Sequence, residues 1–131
     1  MSPSDSVLYV PDSKIAWTGN LVFGKGSIPW ARSEQLRDYL KTMQNFEKTI
    51  QPISIVSGHG KIAEGNIVKK YINYLSDVII ESKQLHEDKK NINNFVSNLS
   101  LNSEIEIEDD IRDLMEGFHK WNVLNAYKQL N

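Results

Sequence analysis

A histidine held between two glycines, Ser57-Gly58-His59-Gly60, follows directly on the apolar run Pro52-Ile53-Ser54-Ile55-Val56. A strand that ends this way delivers one imidazole, on a bare backbone, to the carboxyl edge of a sheet, a good place for a metal ligand. Upstream, Trp17-Thr18-Gly19-Asn20 carries a second strand into a glycine and a polar oxygen donor. The two segments together make half of a metal site. The chain has no cysteine, and its histidines are His59, His86 and His119. Disulfides and thiolate ligands are therefore excluded, and any metal must be held by imidazole nitrogen and by oxygen.

The elements that position these donors follow from the patterning. Val7-Leu8-Tyr9-Val10 is rich in β-formers, Pro11-Asp12-Ser13 is a turn signal, and Lys14-Ile15-Ala16-Trp17-Thr18 resumes as a second strand, giving a hairpin. The first strand is apolar at both alternating positions, so cover is expected on both of its faces. Gly19, Gly24, Gly26 and Pro29 mark an irregular loop from Asn20 to Ala31. It carries Phe23, Ile28 and Trp30, which either line a substrate pocket or pack on the sheet edge. Ser33 is placed to cap a helix whose apolar residues fall at Leu36, Tyr39, Leu40, Met43, Phe46 and Ile50. Pro52 ends that helix and opens a third strand, Ile53 to Val56.

A second helix is expected from Gly65 to His86, with Ile67, Tyr71, Tyr74, Leu75, Val78 and Ile79 as its buried stripe. Glu87-Asp88-Lys89-Lys90 is a charged break that leaves His86 solvated. Asn91 to Leu101 reads as helical. Ser103 is a cap candidate for a further helix, with Glu104, Glu106 and Glu108 in its first turns, where the helix N-terminus favours negative charge. The acidic run from Glu104 to Asp110 is then a solvated helix start, because it lacks the ordered loop and glycine turn of a calcium site. Gly117 is expected to break this helix and Asn122 to cap a last short one. His119 and Trp121 read as a partly buried pair.

The bulk numbers bound the function. At 131 residues with 40% hydrophobic and 24% charged residues, the chain is one ordinary globular domain or part of a larger one. A net charge of −2 favours neither a nucleic acid nor an anionic membrane as partner. No apolar run reaches the ~20 residues that span a bilayer, and a cytoplasmic location is the default expectation.

With these residues in view, the chain resembles the C-terminal half of the metallo-β-lactamase superfamily, over about residues 1 to 82. In that family a hairpin of the form V-x-Y-x-P-x-x-K-x-x-x-T-G-D ends in an aspartate that bridges two metal ions. Here the segment runs Val7-Leu8-Tyr9-Val10-Pro11-Asp12-Ser13-Lys14-Ile15-Ala16-Trp17-Thr18-Gly19-Asn20. A loop, a helix, a strand and P-G-H-G follow in the family, and its histidine is a metal ligand. Here that segment is Ser57-Gly58-His59-Gly60. The resemblance implies an α/β fold: half of an αββα sandwich, a small mixed sheet covered by helices, with residues 1–86 forming the half-domain and 87–131 a helical C-terminal extension packed on it. It implies zinc as cofactor, with His59 and Asn20 as metal-site residues and Phe23, Ile28 and Trp30 as a substrate loop. The reaction implied is metal-dependent hydrolysis of an ester, thioester or lactone in a small-molecule substrate.

Three departures limit that inference. The family's main metal motif, H-x-H-x-D-H, is absent. Ser2-Pro3 fits a segment that carries a further ligand histidine in the family, and Met1 stands where that histidine would be. The bridging aspartate is Asn20, which removes a negative charge beside the metal. A catalytic zinc takes three or more protein ligands, so a truncated or split half, inactive alone, is the expectation. The alternative is a non-catalytic interaction module or degenerate fragment that self-associates through an uncovered apolar sheet face.

Overall fold

The structure, a computed structural model, describes residues 5–31, 36–88 and 104–130. Strand β1 (Leu8–Val10) turns through Pro11 to Lys14 and pairs antiparallel with β2 (Ile15–Gly19). Lys14 closes the turn with a positive φ of 52° and donates its N–H to the Pro11 carbonyl. Helix α1 (Leu36–Thr49) then crosses over to β3 (Ser54–Ser57), which lies parallel to β2. A two-residue strand, β4 (Ala63–Glu64), pairs antiparallel with β3, so the sheet runs β1-β2-β3-β4. Helix α2 (Ile67–Glu87) follows. A 3₁₀ turn (Asp109–Ile111) then leads into α3 (Arg112–Lys128). The mixed α/β class expected from the sequence is the one found, with four strands among the described residues where three were expected; Ala63–Glu64 is too short to show a period.

The pleat sorts the sheet into two faces. Tyr9, Ala16, Ile55 and Ala63 form one cross-strand row and point inward. Ala16 and Ile55 are fully buried there, in one cluster with Leu36, Tyr39 and Met43 of α1 and Val68, Tyr71 and Leu75 of α2. Each large apolar side chain so buried stabilises the fold by about 1.5–3 kcal/mol. Helix α3 packs on α2 and α1 and adds Met115, Val123 and Ala126.

The other face is open among the described residues. Leu8, Val10 and Trp17 are 64%, 37% and 41% exposed. No described element supplies the cover expected on this side of β1.

The tail also departs from expectation. Residues 104–108 precede the 3₁₀ turn and are not helical; Gly26 and Ile107 form a β-bridge, and Glu108 donates its N–H to the Gly26 carbonyl at 3.1 Å. Glu106 and Glu108 are held there by Lys25 (3.3 Å) and Lys61 (2.8 Å). Glu104 to Glu108 thus form a strap and not a helix start, whereas Asp109 and Asp110 are exposed in the 3₁₀ turn that opens α3, as expected of a solvated helix N-terminus. Gly117 does not break α3, and Asn122 lies buried in mid-helix instead of capping a new one. The expected helix from Asn91 to Leu101 and the caps Ser33 and Ser103 lie outside the described residues. No helix among the described residues is long and apolar enough to cross a membrane.

Candidate functional site

Because β2 and β3 are parallel, their carboxyl ends finish side by side, and the segments after them share one edge of the sheet. Gly19 takes the left-handed conformation (φ 53°) and turns the chain off the edge into Asn20. Its carbonyl accepts two bonds, from Gly58 N–H (2.9 Å) and from the Ser57 hydroxyl (3.0 Å). The same Ser57 oxygen accepts the His59 N–H at 3.2 Å. The His59 carbonyl in turn accepts Gly24 N–H at 2.7 Å. His59 is thus fixed at both backbone atoms while its side chain stays exposed. Asn20 Oδ1 lies over Gly58, only 3.4 Å from where a Cβ would stand. Asn20 and His59 therefore flank Gly58 at the same edge, as their places at the ends of parallel strands require.

The loop from Asn20 to Ala31 is tied down by hydroxyls. Thr18 donates to the Val22 carbonyl (2.8 Å) and Tyr39 to the Leu21 carbonyl (2.7 Å). Tyr71 shares its proton between the Gly24 and Ser27 carbonyls, each at 2.8 Å. Burial holds both phenols well above the ordinary tyrosine range, so they stay protonated donors. The approach of this loop to residues 59–61 is so close that a Cβ on Gly24 would collide with the Lys61 carbonyl.

Of the three loop residues singled out, Phe23 is 7% exposed and Ile28 1%. The Phe23 ring packs at 5.3 Å from the His59 imidazole, tilted by 52°. Trp30 is half-buried and stacks on Phe118 at 4.5 Å, nearly parallel. Phe23 thus shares the edge with His59, whereas Ile28 and Trp30 face the helices. An open cleft of about 310 Å³ lies by the start of α2, between Lys25, Ile62, Lys70 and Glu104, and includes neither Asn20 nor His59 in its lining.

The donor set does not fit a catalytic zinc. One imidazole and one neutral carboxamide fall short of three protein ligands. Among the described residues no three His, Cys, Asp or Glu side chains converge on a metal-sized site.

A second polar cluster, in the helical layer, escaped sequence reasoning. Asn122 accepts Ala31 N–H (3.0 Å) and donates to the Pro29 carbonyl (2.8 Å) and the Tyr74 hydroxyl (3.2 Å). Tyr74 Oη lies 2.7 Å from His119 Nδ1. His119 is 1% exposed, so its expected pairing with Trp121, which is 46% exposed, is replaced by one with Tyr74. His86 is half-buried against Tyr127 at 5.4 Å rather than solvated. The only sequence signal for the cluster was a histidine and an asparagine three residues apart on a helix face. No protein-family model matches this chain, and no curated protein matches it.

Proposed function

We propose that this chain contributes the C-terminal half of a metal-dependent hydrolase site of the metallo-β-lactamase type and is inactive by itself. The observation that carries the reading is the convergence of Asn20 and His59 on one edge, across parallel strands joined by a helix, where motif order alone had paired them. The apolar sheet face that no described element covers agrees with it, since half of a sheet-on-sheet sandwich leaves one face for the other half. Zinc would need further ligands from a polypeptide carrying H-x-H-x-D-H, because two neutral donors cannot hold a dication firmly enough to acidify water. The substrate class implied is a small ester, thioester or lactone.

The open face and the neutral donors also favour a second reading, a non-catalytic interaction module. One experiment separates the two. The chain is mixed with a polypeptide that carries H-x-H-x-D-H and zinc, and hydrolysis of an aryl ester and a lactone is followed. Turnover in the mixture, none from either component, and its loss in His59→Ala support the hydrolase half. A stable complex without turnover at any zinc level supports the module.

A further inference from the structure

Four side chains of α3 hold the end of the loop that begins at Asn20. Met115 accepts Ile28 N–H on its sulfur at 3.4 Å, and Phe118 stacks on Trp30. Asn122 grips Pro29 and Ala31, and Asn125 donates to the Ala31 carbonyl at 3.1 Å. The four recur every three or four residues, which places them on one face of the helix. Through the Tyr74 hydroxyl, Asn122 also links this grip to a group that titrates, His119.

Each bond in that link has a fixed direction. Asn122 Oδ1 accepts Ala31 N–H and its Nδ2 donates to the Pro29 carbonyl, so what it turns to Tyr74 is a donor. Tyr74 Oη accepts from Asn122 and gives its own proton to His119 Nδ1 at 2.7 Å. A proton added to Nδ1 sets a second donor before the phenol oxygen. The phenol hydrogen then has no acceptor, since Tyr74 has no other partner among the described residues. Turning the Asn122 amide over would supply one, but it would also set Oδ1 against the Pro29 carbonyl and Nδ2 against Ala31 N–H. Both loop bonds would be lost. Tyr74, His119 and Asn122 are 3%, 1% and 0% exposed, so water does not relieve the conflict.

We propose that His119, Tyr74 and Asn122 form an acid-released latch, in which a proton taken up by His119 breaks the hold of Asn122 on Pro29 and Ala31. From α2, His119 is faced by Tyr74 and by Glu81, whose Oε2 lies 3.9 Å from Nε2. On its own helix Glu116 and Lys120 are exposed, and Pro29, Trp30 and Ala31 carry no charge. Helix α1 also packs on α3, and its charged side chains are exposed apart from half-buried Glu47. Burial holds His119 down at about 4, which keeps the latch shut at neutral pH. Burial also raises Glu81 to about 7, so it is uncharged where His119 titrates and does not steady the imidazolium. Once the loop is released, water reaches the imidazole and its proton affinity returns toward the ordinary 6.5. Falling pH between about 6.5 and 4 therefore favours release. The latch lies in the helical layer and does not rest on the metal reading, so its failure leaves the edge formed by Asn20 and His59 untouched.

Amide hydrogen exchange of the 131-residue chain by NMR, from about pH 6.5 to 3.5, tests it, with the His119 ring resonances followed in the same samples. Protection of the Ala31 amide is expected to fall at least about tenfold over this range, while that of Leu75 in mid-α2 is kept. In Tyr74→Phe the link is cut. His119 still takes up its proton there, and Ala31 protection changes less than about twofold. His119→Gln, whose amide oxygen can accept from Tyr74 but does not titrate, also removes the pH dependence. Far-UV circular dichroism confirms that each variant is folded. Constant Ala31 protection in the wild-type chain overturns the proposal, as does a fall that survives in folded Tyr74→Phe. Loss of protection at Leu75 together with Ala31 makes the event global unfolding and overturns it, as does a His119 ring that stays neutral until the chain unfolds.

Discussion

Nε2 of His119 lies 3.9 Å from Oε2 of Glu81, and neither buried atom has a hydrogen-bond partner among the described residues. The neighbouring bonds decide which nitrogen holds the proton. Asn122 is fixed in orientation, since its Oδ1 accepts Ala31 N–H and its Nδ2 donates to the Pro29 carbonyl. The second hydrogen of Nδ2 therefore goes to the Tyr74 oxygen. Tyr74 then turns its own proton to His119 Nδ1. Nδ1 is an acceptor, so the imidazole proton sits on Nε2 and points at Glu81. Nitrogen-15 chemical shifts of the His119 ring will show the neutral Nε2–H form at pH 6. A protonated Nδ1 at that pH would break this chain of donors.

The same pair shapes stability against pH. Burial lowers His119 from 6.5 to about 4 and raises Glu81 from 4.5 to about 7. For His119 the unfolded chain binds the proton first, so stability falls as pH drops from about 6.5 to 4. For Glu81 the folded chain holds the proton longer, so stability falls as pH rises from about 4.5 to 7. The two slopes oppose each other and flatten the curve between about 4.5 and 6.5. In Glu81→Gln only the His119 slope is left, and urea midpoints will climb from pH 4 to 6.5. In His119→Gln they will decline from pH 4.5 to 7. Each change is on the order of 1–2 kcal/mol. Parallel profiles in the two variants would refute the opposition.

Asn122 links α3 to the loop and to α2 through one side chain. Asn122→Ala leaves Ala31 N–H and the Pro29 carbonyl without their partner and removes a donor to Tyr74. Stranded buried groups cost about 1–3 kcal/mol each. A loss on the order of 3 kcal/mol in urea unfolding is expected, with quenching of Trp30 altered because its loop is released. A loss below about 1 kcal/mol would mean that the packing on Phe118 and the bonds from Tyr39, Tyr71 and Asn125 hold the loop without Asn122.

Which parts of this were legible in the sequence depended on the range of the interactions. The hairpin, α1 and α2 were readable because their signals are local: a proline turn, and apolar residues such as Tyr71, Leu75 and Val78 at helical spacing. That the segments of Asn20 and His59 end at one edge follows from β2 and β3 running parallel, with a helix between them. The strap of Glu106 and Glu108 was misread because its partners, the Gly26 backbone with Lys25 and Lys61, are far away in sequence. Asn122 misled for a similar reason. An asparagine favours helix caps when its partners are local, and here they are Pro29 and Ala31, more than ninety positions away. Leu8 and Val10 promised cover that no described element supplies, because alternation says where side chains point and not what meets them.

Two glycines show the same contrast between local preference and tertiary demand. A Cβ at Gly117 in α3 would meet nothing within 4 Å, so Gly117→Ala is expected to stabilise by about 0.5–1 kcal/mol through helix propensity. Gly24→Ala would drive its methyl into the Lys61 carbonyl and part the loop from residues 59–61. A drop of more than about 2 kcal/mol follows, with the backbone resonances of His59 shifted. Thermal unfolding of the two variants in parallel checks both signs. Destabilisation by Gly117→Ala would mean that α3 needs its flexibility there.

Asn20→Asp tests the chemistry of the edge directly. The carboxylate would stand over Gly58, where the carboxamide is now and where His59 follows in the chain. Unit charges at about 4 Å in water attract by about 1 kcal/mol, so one carboxylate and a dication gain about 2 kcal/mol. Zinc binding by titration calorimetry at pH 7.5 should therefore tighten by more than about tenfold in the variant. His59→Ala in the same background should remove that gain, because a lone carboxylate in water holds zinc poorly. A gain that survives His59→Ala would move the ion away from this edge, and no gain at all would mean that the two donors, although adjacent, do not face a common point.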